Sequence, residues 1–585
     1  MFTDVSDAFT GAARRKFSGY PFVRYQVLDI EHDPRAQGFA DHTFDLILAA
    51  NVLHATKDLR QSLRHVRQLL APRGQLVLLE GSRPQRWLDL IFGLTDGWWR
   101  FADLELRPSH PLISARSWLD LLEQTDFTSA VALPEPHEET SSAVDPPHSV
   151  VVAQNGLAED SPDRTPSAAD QTAGRWMIFC DAGGVGEELA ARLNGCGQEC
   201  LLVYADGEFE QVDDHRVRIN PSHPADFEQL LKTARDGQAN GFRGVVHLWS
   251  LDAPQPEQLT AENLTAAQQL GCGSTIKTLQ AFLQADHPAL PRFWLVTRGA
   301  QAVGGDEALS GLAQSPLWGV GRVMSEEQPA FWGGLVDLDP GESVERLAEY
   351  LAAEVLAPDG EDQIAYRGDQ RYAARLERRA VGATTPRPMR WRSDASYLVT
   401  GGVGDLGLEV ARWMAQQGAE RIILLGRSKF PPRETWSEMI EQDPRRKKQI
   451  EAVQVLESLG CQVMLAAADV GNESQLTDFL TQFEPSGWPP IRGVVHCAGI
   501  AEAAPLSDID DDELFRVLQP KVVGTWLLDR LLGESRLDFF VNFSSGAALL
   551  GSPLLGSYAA ANTFLDTLAH HRCAQGRAGL SINWG

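Results

Sequence analysis

The stretch SYLVTGGVGDLGLEVARWMAQQGAERIILLGRS, residues 396–428, leaves a chain few folds to choose from. A β-rich run from Tyr397 to Thr400 leads into Gly401, Gly402, Gly404 and Gly407. Leu408, Val410, Ala411 and Met414 follow at helical spacing, and Ile422 to Leu425 reads as a second strand. Strand, glycine turn, helix, strand is the context in which bare backbone can approach a pyrophosphate and a helix N-terminus offers free N–H groups. Gly401, Gly402, Gly404, Asp405, Leu406 and Gly407 are therefore candidate contacts to a dinucleotide.

The second strand ends in Arg427 and Ser428, where an acid would be needed to bind the ribose hydroxyls of NAD. An arginine suits the 2′-phosphate of NADP instead. AAADV ends a third strand and puts Asp469 and Val470 near an adenine ring; RGVVHCAG ends a fourth and puts Ala498 and Gly499 beside a nicotinamide ribose. Further on, Ser545 closes the apolar run LDFFVNF, and Tyr558 opens an alanine-rich helical stretch with Asn562 one turn later on the same face. A hydroxyl at a strand's carboxyl end and a phenol on the next helix can together hold a carbonyl oxygen and protonate it.

The chain also repeats itself. DAGGVGEELAARLNGCGQECLLVYADG, from Asp181, parallels the glycine-turn segment; Phe242–Ser250 parallels Ile491–Gly499, and Arg292–Ala300 parallels DFFVNFSSG. Two Rossmann-like units in tandem are expected. In the first, Leu189 is expected to replace the third loop glycine, no arginine stands at the GRS position, Arg298 takes the place of Ser545, and the counterpart of Tyr558 lies near Trp318.

TGGVGDLG, GRS, ADV, HCAG, QPKVVGTW, SSGAALLGSPLLGSYAAAN and SINWG together resemble the ketoreductase of modular polyketide synthases, a branch of the short-chain dehydrogenase/reductase superfamily. Ordinary members of that superfamily carry Tyr-x-x-x-Lys; Asn562 holds the lysine's position, and the resemblance assigns the lysine to Lys521 in QPKVVGTW. It implies that Tyr558 donates the proton as hydride arrives and that Lys521 lowers the phenol's pKa. Ser545 then stabilises the developing oxyanion, and Asn562 holds a water or backbone group that replenishes the proton. The first copy resembles the structural subdomain of the same reductases, with LWGVGRV and IAYRGDQRYAARL fitting it. The family continues past SINWG into a lid, so the resemblance places the lid beyond Gly585. Neither of the family's two stereochemical markers is present: the Leu-Asp-Asp positions hold Ala501, Glu502 and Ala503, and the tryptophan position holds Leu550; the lost Leu-Asp-Asp tips the expectation to the tryptophan class and an L-hydroxy product.

YPFVRYQVLDIEHDP and FDLILAANVLHATKDLRQSLRHVRQLLAPRGQLVLLEG, near the N-terminus, resemble the C-methyltransferase of polyketide synthases, a class I S-adenosylmethionine-dependent fold. By motif, His54 and Glu80 match that family's general-base pair, which could take the α-proton of a β-ketothioester. The family's E-x-G-x-G-x-G loop would lie before residue 1, so no S-adenosylmethionine binding is expected and the pair is read as vestigial.

The expected fold class is α/β: a truncated class I methyltransferase-like domain over 1–154, a linker over 155–174, a degenerate Rossmann structural subdomain over 175–385 and a catalytic subdomain over 386–585. The expected function is NADPH-dependent reduction of a carrier-bound β-ketoacyl thioester to a β-hydroxyacyl thioester. The alternatives are a non-catalytic scaffold of a megasynthase and the equivalent region of a fatty acid synthase. The net charge of −27 disfavours nucleic acid as a partner. Arg445–Gln449 (RRKKQ) is the one obvious basic cluster, read either as a solvated helix face or as a dock for an acidic acyl carrier protein, the expected partner alongside other synthase domains. Seven scattered cysteines read as reduced thiols of a cytoplasmic protein without a metal site, and no apolar run reaches membrane-spanning length.

Overall fold

The computed structural model describes every residue except 18–19, 21, 85, 134–147, 157–173, 236–240, 286–289, 305–308, 377–389 and 534. It forms two compact units, Met1–Ser167 and Ala168–Gly585. Most of the expected linker, residues 157–173, and the expected boundary at 385–386 lie outside the described residues. Asn155 itself ends the strand His148–Asn155, and its buried side-chain amide donates to the carbonyls of Leu70 at 3.0 Å and Ala71 at 3.1 Å.

In the first unit, Phe2–Asp4 and Tyr25–Val27 pair in parallel. A four-stranded sheet runs in the order Phe44–Ala50, Leu70–Gly81, His148–Asn155, Phe127–Leu133, parallel only between the first two. Helix Leu59–Leu69 starts where Asp58 accepts the Gln61 amide as N-cap. Its Leu59, Leu63 and Val66 recur at helical spacing and join Leu76, Leu78, Trp118 and Val151 in one core.

The second unit holds two mostly parallel sheets that carry the repeat. The six-stranded sheet is ordered Gln462–Ala467, Arg421–Gly426, Ser396–Thr400, Ile491–His496, Phe539–Ser545, Leu580–Trp584, with every neighbour parallel. The nine-stranded sheet contains the same succession: Arg216–Ile219, Glu199–Ala205, Arg175–Phe179, Phe242–His247, Arg292–Arg298, Trp332–Leu338. It adds Glu210–Gln211 at one edge and Gln363–Arg367 with Gln370–Ala373 at the other. The apolar runs of these strands are buried on both faces, as parallel strands covered by helices require.

The two halves share one hydrophobic core, in which Leu295, Trp318 and Leu335 join Leu398, Ile423, Phe540 and Ala560. Each such buried side chain contributes about 1.5–3 kcal/mol, so the halves hold together as one unit. Matching helices meet at the contact: Pro316–Glu327 from the first half and Gly556–Ala574 from the second. A Cβ on Gly319 would come within 2.4 Å of the Ala559 and Ala560 backbone, so any larger residue there pries the helices apart.

Candidate active site

Ligands of open parallel sheets sit at the carboxyl ends of the strands, where the strand order reverses. In the six-stranded sheet that point falls between Ser396–Thr400 and Ile491–His496. A cavity of about 550 Å3 opens there, lined by Gly401, Gly404, Arg427, Ser428, Asp469, Val470, Ala498 and Gly499. The other four glycine-turn residues do not line it. Gly402 donates its N–H to the Leu425 carbonyl. Gly407 packs under the turn, where a Cβ would lie 2.3 Å from the Gly401 carbonyl oxygen. Leu406 is half exposed, and the exposed Asp405 pairs with Lys448 at 2.6 Å. Gly401 has a φ of 65° and lies so close to the Ala498 backbone that a Cβ would come within 2.9 Å. The turn thus offers bare backbone at the cavity floor, and the cavity fits a dinucleotide.

The basic run read as a carrier-protein patch or a solvated helix face also reaches the cavity. Helix Pro444–Ser458 begins at Asp443, which accepts the Arg445 and Arg446 amides, and its first turn returns to the glycine turn. Arg445, Arg446 and Gln449 line the cavity with Arg427. Gln449 donates to the Val403 carbonyl at 2.7 Å, and Arg446 lies over the Phe430 ring. Lys447 pairs with Glu451 and Lys448 with Asp405. The return of that helix to the glycine turn could not be read from the sequence.

Behind the cavity wall stands Lys521, buried in helix Asp511–Leu531. A Cβ on Gly499 would sit 2.5 Å from its Cε, so the lysine stem fills the space that this glycine leaves. The ammonium donates to the Phe543 carbonyl at 2.8 Å and lies 5.7 Å from the centre of the Tyr558 ring. Burial lowers its pKa to about 8, against the opposing pull of Cys497 and Asp566. Asp566 was not singled out from sequence; burial raises its pKa, while Ser581 and Asn583 hydrogen-bond it at 2.5 and 2.8 Å.

Ser545 ends the strand Phe539–Ser545, half buried, and its hydroxyl accepts from the Ala547 amide at 3.3 Å. Tyr558 is half buried in the first turns of its helix. Asn562, fully buried, donates to the Tyr558 carbonyl at 2.8 Å, and its Oδ1 has no partner among the described residues. A buried acceptor left open in this way is where a water is expected.

In the first copy, strand register sets Phe179 beside Val203 and His247, as Thr400 lies beside Leu425 and His496. Gly186, not Leu189, is therefore the counterpart of Gly407. It makes the same close approach, with a Cβ there 2.9 Å from Cys180, while Leu189 is buried in the core one turn on. The real loss is at the strand exit, where Cys180 and Asp181 replace Gly401 and Gly402. The Asp181 carboxylate accepts from Gly186 at 2.8 Å and Val185 at 3.3 Å, filling the helix N-terminus from within. Ala205 stands in the place of Arg427. By register Arg298 matches Ser545, and its guanidinium is bound to the carbonyls of Asp339, Pro340 and Glu342. Trp318, buried, donates to Thr297 at 2.9 Å.

In the first unit, strand Phe44–Ala50 leads into a turn that carries His54. Its Nδ1 lies 2.5 Å from Glu80 Oε2, both groups buried, and Glu80 also accepts the Val52 and Leu53 amides. The fully buried Arg107, not noticed in the sequence, holds the turn through the His54 and Thr56 carbonyls, each at 2.8 Å. His54 also lines a cavity of about 1060 Å3 with Trp98, Phe92 and Leu112. Among the described residues no group of three or more His, Cys, Asp or Glu could hold a metal ion, and no helix is long and apolar enough to cross a membrane.

A parallel sheet with a glycine turn at its switch point, and Ser545, Tyr558 and a buried Lys521 beside it, defines an oxidoreductase of Rossmann-like architecture. Residues 395–585 match the family model described as KR domain. Residues 207–376 match that of the Rossmann fold domain of the polyketide synthase extender module SpnB, and 1–76 a methyltransferase domain. A phenolphthiocerol/phthiocerol polyketide synthase of Mycobacterium tuberculosis is 38% identical over 313 residues, 53% of this chain and 16% of that one. The 6-methylsalicylic acid synthase of Aspergillus terreus is 35% identical over 282 residues, 48% of this chain and 15% of that one. The chain thus spans only 15–16% of the length of these two relatives. Among solved structures, an A1-type ketoreductase is 30% identical with a TM-score of 0.56, covering 71% of this chain and 79% of that one. The first ketoreductase of the tylosin polyketide synthase is 31% identical with a TM-score of 0.56, covering 72% and 83%. The chain belongs to the ketoreductases of modular polyketide synthases, joined to an N-terminal part of methyltransferase type.

Proposed function

We propose that the second unit reduces the ketone of a β-ketoacyl thioester, held on an acyl carrier protein, to the β-hydroxyacyl thioester with NADPH. Residues 386–585 are the catalytic subdomain, and 175–385 the structural one. The observation that carries this reading is the position of Lys521, buried between Gly499 on the cavity wall and the Tyr558 ring. Gly401, Gly404, Ala498 and Gly499 would hold the dinucleotide backbone, with Asp469 and Val470 at the adenine; Arg427 and Ser428, joined by Arg445 and Arg446, would hold the 2′-phosphate. Gly402, Asp405, Leu406 and Gly407 shape the turn. NADPH bound there supplies hydride. Ser545 holds the substrate oxygen and stabilises its developing charge. Tyr558 donates the proton, and Lys521 favours its release by stabilising the phenolate. Asn562, through its open Oδ1, seats the water that returns the proton.

Ala501, Glu502 and Ala503, in place of the Leu-Asp-Asp marker, point to an L-hydroxy product, while Leu550 replaces the tryptophan that marks that class. The reduction is assigned to the second unit alone, and His54 and Glu80 are read as a vestigial pair of the methyltransferase-type part. The reading as a cytoplasmic protein goes with the polyketide synthase assignment.

Fluorescence titration with NADPH, followed by reduction of a short β-ketothioester with chiral analysis of the product, tests the proposal. Saturable binding and an L-hydroxy product are expected. A chain that binds no NADPH is the scaffold instead.

A further inference from the structure

Ser545 and Tyr558 are joined by residues 546–557, and the path of that segment fixes where hydroxyl and phenol stand. It carries three exposed leucines, Leu549, Leu550 and Leu554. Leu554 has a φ of 70°, a left-handed conformation that a leucine keeps only where its surroundings over-determine it. Its carbonyl accepts from Ala504 at 2.9 Å, and Leu555 bridges Ala504, so the segment is tied to the loop that follows Gly499. Both loops are in turn held from the half without chemistry.

Glu327, at the end of helix Pro316–Glu327, accepts the Leu554 amide on Oε1 at 2.7 Å and the Leu506 amide on Oε2 at 2.8 Å. Arg322, one turn earlier, donates to the Ala548 carbonyl. Gln280 donates to the carbonyls of Leu506 at 3.0 Å and Ile509 at 2.8 Å. Leu506 itself is buried against Gly556, the first residue of the Tyr558 helix. We propose that Glu327 is a positioning residue of the reduction: from the non-catalytic half it clamps the two loops that flank Ser545 and Tyr558, and so sets the hydroxyl–phenol spacing and the face of the ketone presented to hydride. A carboxylate suits this task because it is acceptor-only and serves two amides at once with charge-assisted bonds. A glutamine has one acceptor oxygen and turns its NH2 toward the other amide, leaving that N–H unpaired.

The inference rests on the reduction proposed above, and Glu327→Gln tests it. By hydrogen exchange, the amide of Leu506 or Leu554 should exchange about tenfold faster or more than in the parent. NADPH affinity should stay within about twofold, since the cavity is built from other strand ends; this also shows that the variant is folded. With a β-ketothioester, kcat/KM should fall by about 10- to 100-fold and the ratio of the two hydroxyl configurations should shift, as misplacement near the reacting centre does. A merely structural role would leave that ratio alone. A parent that reduces, with a variant that matches it in exchange or in both rate and configuration, overturns the role of Glu327 and leaves the reduction standing. A parent that oxidises no NADPH overturns both.

Discussion

The ammonium of Lys521 lies 5.7 Å from the ring centre of Tyr558 while it donates to the Phe543 carbonyl at 2.8 Å. The lysine reaches the phenol from a neighbouring helix and not from the phenol's own, so the position four residues after the tyrosine is left to Asn562. The charge is held in a buried place, where desolvation makes it costly to keep.

That cost gives a pH prediction. Burial lowers the lysine from 10.5 to about 8. Between those values the unfolded chain binds the proton and the native one does not, so this group makes stability rise with pH across that window; below pH 8 the full cost of the buried charge is present. Lys521→Met should therefore be more stable at pH 7, by on the order of 1–3 kcal/mol after loss of the Phe543 hydrogen bond. It should also reduce ketones slowly. In the parent the assistance is present below about pH 8 and lost above it; the variant's profile should lack that step. Denaturant melts and pH–rate profiles check both.

Tyr558→Phe should cut reduction by at least about 10²–10⁴-fold, the usual contribution of a general acid. NADPH affinity should barely change, because the cavity is lined by the glycine turn and the arginines and not by Tyr558. A variant within a few-fold of the parent rate would move the proton donor elsewhere.

Selection of NADPH over NADH should be shared among Arg427, Arg445 and Arg446, which line one cavity. Arg427→Ala should weaken NADPH binding by on the order of 1.5–3 kcal/mol, one charge-assisted phosphate contact, and leave NADH unaffected. Only the triple alanine variant should bind both cofactors alike. Titrations of each variant with the two cofactors, at fixed salt, measure this.

One dinucleotide should bind per chain. In the first copy the Asp181 carboxylate already occupies the amides at its helix N-terminus, and its charge repels a phosphate. Calorimetry should give a stoichiometry near one. Asp181→Ala should cost about 1–2 kcal/mol of stability, as loss of a helix cap does, without creating a second site.

Local pattern made much of this protein legible. The glycine turn between Tyr397 and Ile422, the helix that follows it, and the Ser545–Tyr558–Asn562 spacing depend on residues near one another in the chain, and periodicity reports such elements directly. The repeat was legible for the same reason, yet its alignment was not. Matching GGVG to GGVG put Leu189 against Gly407, whereas the pairing of Phe179 with Val203 and His247 puts Gly186 there. Register belongs to neighbouring strands and cannot be read from one segment.

Short-range sterics and hydrophobic spacing set the strands, the glycine turn and the helical face shared by Tyr558 and Asn562, so these could be read along the chain. The tertiary structure alone decided which charges meet. It brought Arg445 and Arg446 to the cavity wall beside Arg427, buried Lys521 behind Gly499, and carried Glu327 across from the other half to Leu506 and Leu554. These contacts join residues tens to hundreds of positions apart. They exist only because the shared core has fixed two sheets and their helices in one arrangement, and no local propensity encodes them.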